Sequence, residues 1–211
     1  KLQRIYYRKG YLNSRVRATG ESHITFIINE GPLYSVAEVV LAGNTRFGSA
    51  TLLDGFDLEP GDTYLYQKAD LQAERMLELY RENGFVDSKV NHRPAFVGGE
   101  GNTATVVFSI DEGRQFRIGR VDITGNETTQ DKVIRHVLDE YGFTPGSLYD
   151  AHMAPNEPGG LLEKYIQRMT LAERAIIMPL PAPGDPNRLD VRVDIQEGLT
   201  GMWNPGVGIG S

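Results

Sequence analysis

Apolar and polar residues alternate strictly in three stretches of the chain. They are His23-Ile24-Thr25-Phe26-Ile27-Ile28, Thr105-Val106-Val107-Phe108-Ser109-Ile110 and Asp190-Val191-Arg192-Val193-Asp194-Ile195. A period of two marks a strand with one buried face. It predicts Ile24/Phe26/Ile28, Val106/Phe108/Ile110 and Val191/Val193/Ile195 against a core. Each stretch runs into an acid and a glycine: Glu30-Gly31, Glu112-Gly113 and Glu197-Gly198, at nearly equal intervals along the chain.

The same interval returns in other elements. Val39-Val40-Leu41-Ala42-Gly43-Asn44-Thr45 matches Val121-Asp122-Ile123-Thr124-Gly125-Asn126-Glu127. Pro60-Gly61-Asp62-Thr63-Tyr64 matches Pro145-Gly146-Ser147-Leu148-Tyr149. Three element types in one order at nearly one offset indicate duplication. Gly-Asn closes both first strands, a pair that tolerates the positive φ of tight turns.

Helical periodicity fills the gaps. Ile134, Val137, Leu138 and Tyr141 make an apolar stripe behind Thr129, an expected N-cap. The matching helix, Ser49 to about Phe56, is shorter. A longer helix spans 67–83, with Ala69, Ala73, Met76 and Tyr80 on one face and Gly84 as its stop. Leu2, Ile5 and Tyr6, then Gly10-Tyr11, repeat the end of that helix. The chain thus opens inside a helix and reads as a segment of a longer protein.

Each unit reads strand, helix, helix, strand, strand. The expected fold class is α+β: tandem β-α-α-β-β repeats, each a small sheet with both helices on one face. The expected boundaries are residues 1–32 for the back half of one repeat, 33–113 and 114–198 for two complete ones, and 199–211 for a linker. The second complete repeat departs from the pattern. Met153-Ala154-Pro155-Asn156-Glu157-Pro158-Gly159-Gly160 resists a helix, because its prolines cannot continue one. The helix is expected from near Leu161, using Leu162, Tyr165, Ile166 and Met169. The following strand is expected over about 174–178, stopped by Pro179 and Pro181.

Composition narrows the chemistry. A net charge of -6 without a basic run argues against nucleic acid, whose phosphates need clustered cations. With no cysteine there is no disulfide, thiolate metal site or thiol nucleophile. His23, His92, His136 and His152 fall at no ligand spacing, and His23 and His92 read as solvent-facing or locally bonded strand residues. Asp150-Ala151-His152 near Glu157 reads as a polar loop, short of the ligands a tetrahedral metal site requires. Gly206-Val207-Gly208-Ile209-Gly210 has no following helix, which a nucleotide loop needs. No base and orienting acid accompany the serines. Neither cofactor, metal nor catalytic residue is expected.

Strand-Gly-Asn, helix, Pro-Gly-x-x-Tyr, helix ending in Gly-Phe, two strands and Glu-Gly together resemble the POTRA, or polypeptide-transport-associated, domain. The tail from Glu197-Gly198-Leu199-Thr200-Gly201 to Ser211 is similar to the passage into the first barrel strand of the outer-membrane assembly superfamily, with the barrel itself absent. The resemblance implies a three-stranded mixed sheet whose last strand is central and whose second strand is an edge. It implies a module on the periplasmic side of the bacterial outer membrane. Such a module binds unfolded outer-membrane proteins and accessory lipoproteins and delivers clients to its own C-terminal β-barrel. A two-partner-type secretion transporter and a client-free scaffold are the alternatives. An unpaired edge invites strand addition. The candidate edge is Val86, Asp87, Ser88, Lys89, Val90, Asn91, His92 and Arg93, with a second at 12–18 in the partial repeat. Ordinary edge protection by charge is the competing reading of Asp87, Lys89 and Arg93.

Overall fold

The structure is a computed structural model and describes residues 1–96, 101–170 and 172–198. The expected linker and barrel strand at 199–211 lie outside the described residues. The chain forms two compact units, one of residues 1–80 and 87–113, the other of residues 81–86 and 114 onward.

The first unit begins with α1 (Leu2–Arg8), β1 (Arg15–Thr19) and β2 (Thr25–Asn29). β1 and β2 form a two-stranded antiparallel sheet. The core predicted for β2 is not there. Ile24 is 65% exposed and Phe26 53% exposed, and Ile28 is also open. A two-stranded ribbon with one short helix buries too little on either face to make a core. α1 likewise buries no residue.

The complete repeat of this unit follows as β3 (Ser35–Ala42), α2 (Ser49–Leu52), α3 (Tyr66–Glu82), β4 (Lys89–Phe96) and β5 (Thr103–Asp111). Its sheet has the order β3-β5-β4. β5 is central, parallel to β3 and antiparallel to β4. Val106, Phe108 and Ile110 of β5 are buried, as are Ala69, Met76 and Tyr80 of α3 and Leu52 of α2. Phe108 meets Phe56 edge to face at 5.7 Å. Burying a side chain of that size contributes about 1.5–3 kcal/mol.

The second unit repeats the design as β6 (Arg117–Thr124), α4 (Asp131–Glu140), α5 (Leu161–Met169), β7 (Ala172–Pro181) and β8 (Arg188–Glu197), with sheet order β6-β8-β7. Val191, Val193 and Ile195 of β8 are buried against Ile134, Val137, Leu138, Leu162 and Ile166. Three expectations are corrected here. Thr129 is not the helix cap, since α4 begins after Gln130 and the Thr129 N–H donates to Glu197. Met169 is 60% exposed, lying at the last position of α5. β7 runs through Pro179 and Pro181 rather than stopping before them. An edge strand tolerates proline where the missing N–H would point outward.

The recurring motifs have physical jobs. In Pro-Gly-x-x-Tyr, the loop turns back along the first strand. Gly61 N–H donates to Val36 C=O, and Gly146 N–H donates to Ile118 C=O, both at 2.8 Å. The tyrosines that follow, Tyr64 and Tyr149, are fully buried. The acid of Glu-Gly holds the Gly-Asn turn. Glu112 accepts from Thr45 N–H at 2.7 Å, Arg46 N–H at 2.8 Å, the Thr45 hydroxyl, and the Tyr80 hydroxyl at 2.8 Å. Glu197 accepts from Thr128 N–H at 2.7 Å and Thr129 N–H at 2.6 Å. The backbone bond from Thr129 leads in holding the Glu197 carboxyl down to about 2, against a smaller opposing effect of burial. Burial pushes the Glu112 carboxyl up, but the Thr45, Arg46 and Tyr80 donors together outweigh it and bring it below the usual range. Gly43 and Gly125 have φ of +93° and +80°, and a Cβ on either would collide with the carbonyl oxygen of Ile110 or Ile195. Only glycine fits there.

Candidate strand-binding edge

β4 is an edge strand. It pairs with β5 from Lys89↔Asp111 to Phe96↔Ala104 without a break. Of the predicted edge residues, Lys89, Val90, Asn91, His92 and Arg93 lie on it, and it continues to Phe96. Val86, Asp87 and Ser88 do not. Asp87 and Ser88 precede the strand, and Ser88 is buried. Val86 packs against the core of the second unit, to which it belongs. The turn after α3 uses these residues, so the strand starts three positions later than its alternation suggested. In the partial repeat, Arg15 to Ala18 of the second predicted edge lie on β1, whose one partner among the described strands is β2.

In an antiparallel strand, residues of one parity point N–H and C=O to the neighbour, and those of the other point them outward. The second repeat reveals the parity. β7 pairs Ile177↔Val193, Pro179↔Val191 and Pro181↔Leu189. Ile177 N–H does not go to β8. It donates at 2.7 Å to Glu163 Oε1 on α5. Pro179 and Pro181 share that outward parity and carry no N–H. In β4 the pairs His92↔Phe108 and Pro94↔Val106 occupy the equivalent register of the earlier repeat. Val90 and His92 therefore present outward N–H groups, while Lys89, Asn91 and Arg93 bond to β5.

The two edges differ in what meets those donors. On β7, Ala175 shares the outward parity and its N–H meets no acceptor among the described residues, but a buried carboxylate takes the Ile177 N–H and two prolines delete the next two. Glu163 also accepts from Gly159 N–H at 2.5 Å and Gly160 N–H at 3.1 Å, which fixes it at the start of α5. On β4 the nearby carboxylate of α3, Asp70, faces the His92 imidazole instead, at 3.3 Å from Nε2. Among the described residues no side chain takes the Val90 or His92 N–H. The His92 ring is held between Tyr66 at 4.7 Å and Phe108 at 5.9 Å. Its side chain is 4% exposed, so of the two readings offered from sequence, local bonding applies and solvent exposure does not. His23 lies in a bend before β2 and is exposed.

A concavity of about 170 Å³ runs between β4 and α3, lined in part by Tyr66, Asp70, Glu74, Leu77, Val90 and His92. Glu163, Asp70 and the parity of the prolines were not singled out from sequence. The signal was present in Pro94 and Pro179, which stand at equivalent positions of the two repeats. Asp150 builds a turn, its Oδ1 accepting from His152 N–H and Met153 N–H at 2.9 Å each.

A three-stranded mixed sheet with a central last strand, two helices and a glutamate-clamped Gly-Asn turn, twice over, defines the class. The chain belongs to the POTRA family, described as the surface antigen variable number repeat, whose pattern matches residues 34–113 and 116–198. Among its relatives, the outer membrane protein assembly factor BamA of Buchnera aphidicola is 24% identical over 187 residues, covering 89% of this chain and 29% of that protein. BamA of Neisseria meningitidis is 22% identical, covering 99% of this chain and 26% of that protein. The chain thus spans under a third of the length of these relatives. The fold is shared with Haemophilus ducreyi BamA lacking POTRA domains 1–3, at a TM-score of 0.65 and 18% identity over 78% of this chain and 30% of that one. It is shared too with POTRA3-5 of Haemophilus influenzae BamA, at a TM-score of 0.57 and 18% identity over 92% of this chain and 76% of that one.

Proposed function

We propose that this chain is the periplasmic, strand-binding region of an outer-membrane protein assembly factor and has no catalytic role. It takes extended segments of unfolded outer-membrane proteins onto β4 by β-augmentation and passes them toward a C-terminal β-barrel, with accessory lipoproteins docking on the same repeats. The observation that carries this reading is the open edge of β4, in contrast to β7, where Glu163 takes the Ile177 N–H and Pro179 and Pro181 carry none. Backbone pairing is indifferent to most side chains, which suits clients that share strands rather than motifs. Similarity to proteins named as assembly factors supports it over a secretion transporter.

The test is an amide NMR titration of the whole chain with extended peptides taken from outer-membrane β-strands. Shifts are expected along residues 89–96. Val90→Pro removes an outward donor without touching the β5 ladder, as Pro94 already does, and should weaken binding about tenfold. Shifts confined to the outer faces of the helices, or equal binding by Val90→Pro and the parent, would reject the edge as the site.

A further inference from the structure

The β4–α3 groove has a chemical bias of its own. Tyr66, Asp70 and Glu74 follow one another at helical i, i+4 spacing on α3, so each is about 6 Å from the next. Alternate side chains of a strand are about 6.6–6.8 Å apart. A strand added to β4 would therefore bring helix-facing side chains into the groove that Glu74, Asp70 and Tyr66 line, at a spacing close to theirs.

Two of those three positions are acidic. The Asp70 side chain is 50% exposed, and Glu74 is exposed. Two cations of the same helix are engaged elsewhere: Lys68 pairs with Asp57 at 2.7 Å, and Arg75 donates to Gly55 C=O at 3.2 Å. Among the described residues Glu74 has no ion pair, and Asp70 has only His92. Lys89 and Arg93 project from the other face of β4, since the burial of the strand alternates with Val90 and His92 turned to the helix. Independently, His92 is almost fully buried at the floor of the groove, and no partner among the described residues reaches its Nδ1. The groove thus presents two acids without a cationic side chain paired to either, over the buried His92 imidazole and flanked by Tyr66 and Leu77.

We infer that this groove selects extended segments with lysine or arginine at two successive helix-facing positions and an apolar side chain at the next. This rests on the edge reading above and adds the client class. The backbone ladder supplies attachment, and Asp70 with Glu74 supplies register, because a two-residue slip takes one cation off its acid.

Three extended peptides of one apolar-polar host sequence test it, with Lys, Gln or Glu at two alternating positions. Affinity is read from the shifts of residues 89–96 in the whole chain at low salt. The Lys peptide should bind about tenfold more tightly than the Glu peptide, as expected for two exposed ion pairs exchanged for two repulsions. In Asp70→Asn/Glu74→Gln the ratio should fall below about threefold, with the Gln peptide unchanged. Asn at 70 keeps an acceptor for His92, and the chain remains acidic, so a general attraction for cations would survive this variant. Equal affinity for Lys and Glu peptides, or discrimination that persists in the double variant, overturns the charge selection while leaving the edge in place. Absence of shifts in residues 89–96 with all three peptides overturns the edge reading and this inference together.

Discussion

β4 and β7 are the same strand of the same repeat, in the same register, with proline at the same position. One keeps the outward N–H groups of Val90 and His92, and the other has lost most of its own. The difference lies in one carboxylate and one further proline, Pro181, where β4 has Phe96. Glu163 leans from α5 onto the Ile177 N–H, whereas Asp70 of α3 turns to an imidazole and leaves the backbone alone. The helices explain why. α5 packs closely against β7 and starts at a Gly159-Gly160 turn that Glu163 itself holds, whereas the longer α3 comes less close to β4. A carboxylate anchored by two backbone N–H groups and delivered to a third is a fixed plug. Closing an edge in this way, together with Pro179 and Pro181, is a known kind of protection against unwanted pairing. Two copies of one fold can thus diverge in what their edge strands leave unpaired without changing their cores.

The largest expected effect probes what the two repeats share. Phe108→Ala removes the ring at the centre of the first sheet and should cost about 3–5 kcal/mol in denaturant unfolding. A loss under about 1 kcal/mol would mean that Phe108 is not core. Next comes the plug. Glu163→Ala leaves three backbone N–H groups short of an acceptor and should cost about 2–3 kcal/mol. It should also speed hydrogen exchange at Ile177, and if exchange there is unchanged the two edges do not differ as described.

The turn clamp is a smaller, shared effect. Glu112→Ala should cost about 1–2 kcal/mol, since the site is partly open to water. Acid tests the same clamp without mutation. The Glu197 carboxyl is held at about 2, below its ordinary 4.5, and the Glu112 carboxyl is lowered too. Between those values the unfolded chain binds the proton first. The Glu197 contribution is therefore complete above pH about 4.5 and lost as pH falls toward 2. The urea midpoint should drop over that window, and the drop should be shallower in Glu112→Gln/Glu197→Gln. Equal slopes would rule out the clamp as its source. Smallest of all, Lys89→Ala should change stability by under about 0.5 kcal/mol and leave peptide binding intact, since its side chain faces away from the groove. A clear loss of binding would shift the site to the other face of the sheet.

The sequence carried the repeat, the order of elements and the buried faces of β5 and β8, because a strand period of two and a recurring glycine are local properties. It misjudged β2, whose alternation is as strict as that of β5. Alternation gives a strand a face to bury but does not supply the layer that covers it. It also misplaced the ends of β4 and β7. Val86 was claimed by another core, and proline was read as a stop when an edge admits it.

The sequence by itself determined that this is a tandem POTRA chain and which positions of each complete repeat form the core. Only the tertiary structure decided which edge is free to pair. That depends on whether a carboxylate 14 residues away reaches a backbone N–H, as Glu163 reaches Ile177, or stops at a side chain 22 residues away, as Asp70 does at His92. Helix length and the placement of α3 and α5 on their sheets fix that outcome, and no periodicity in the chain encodes it.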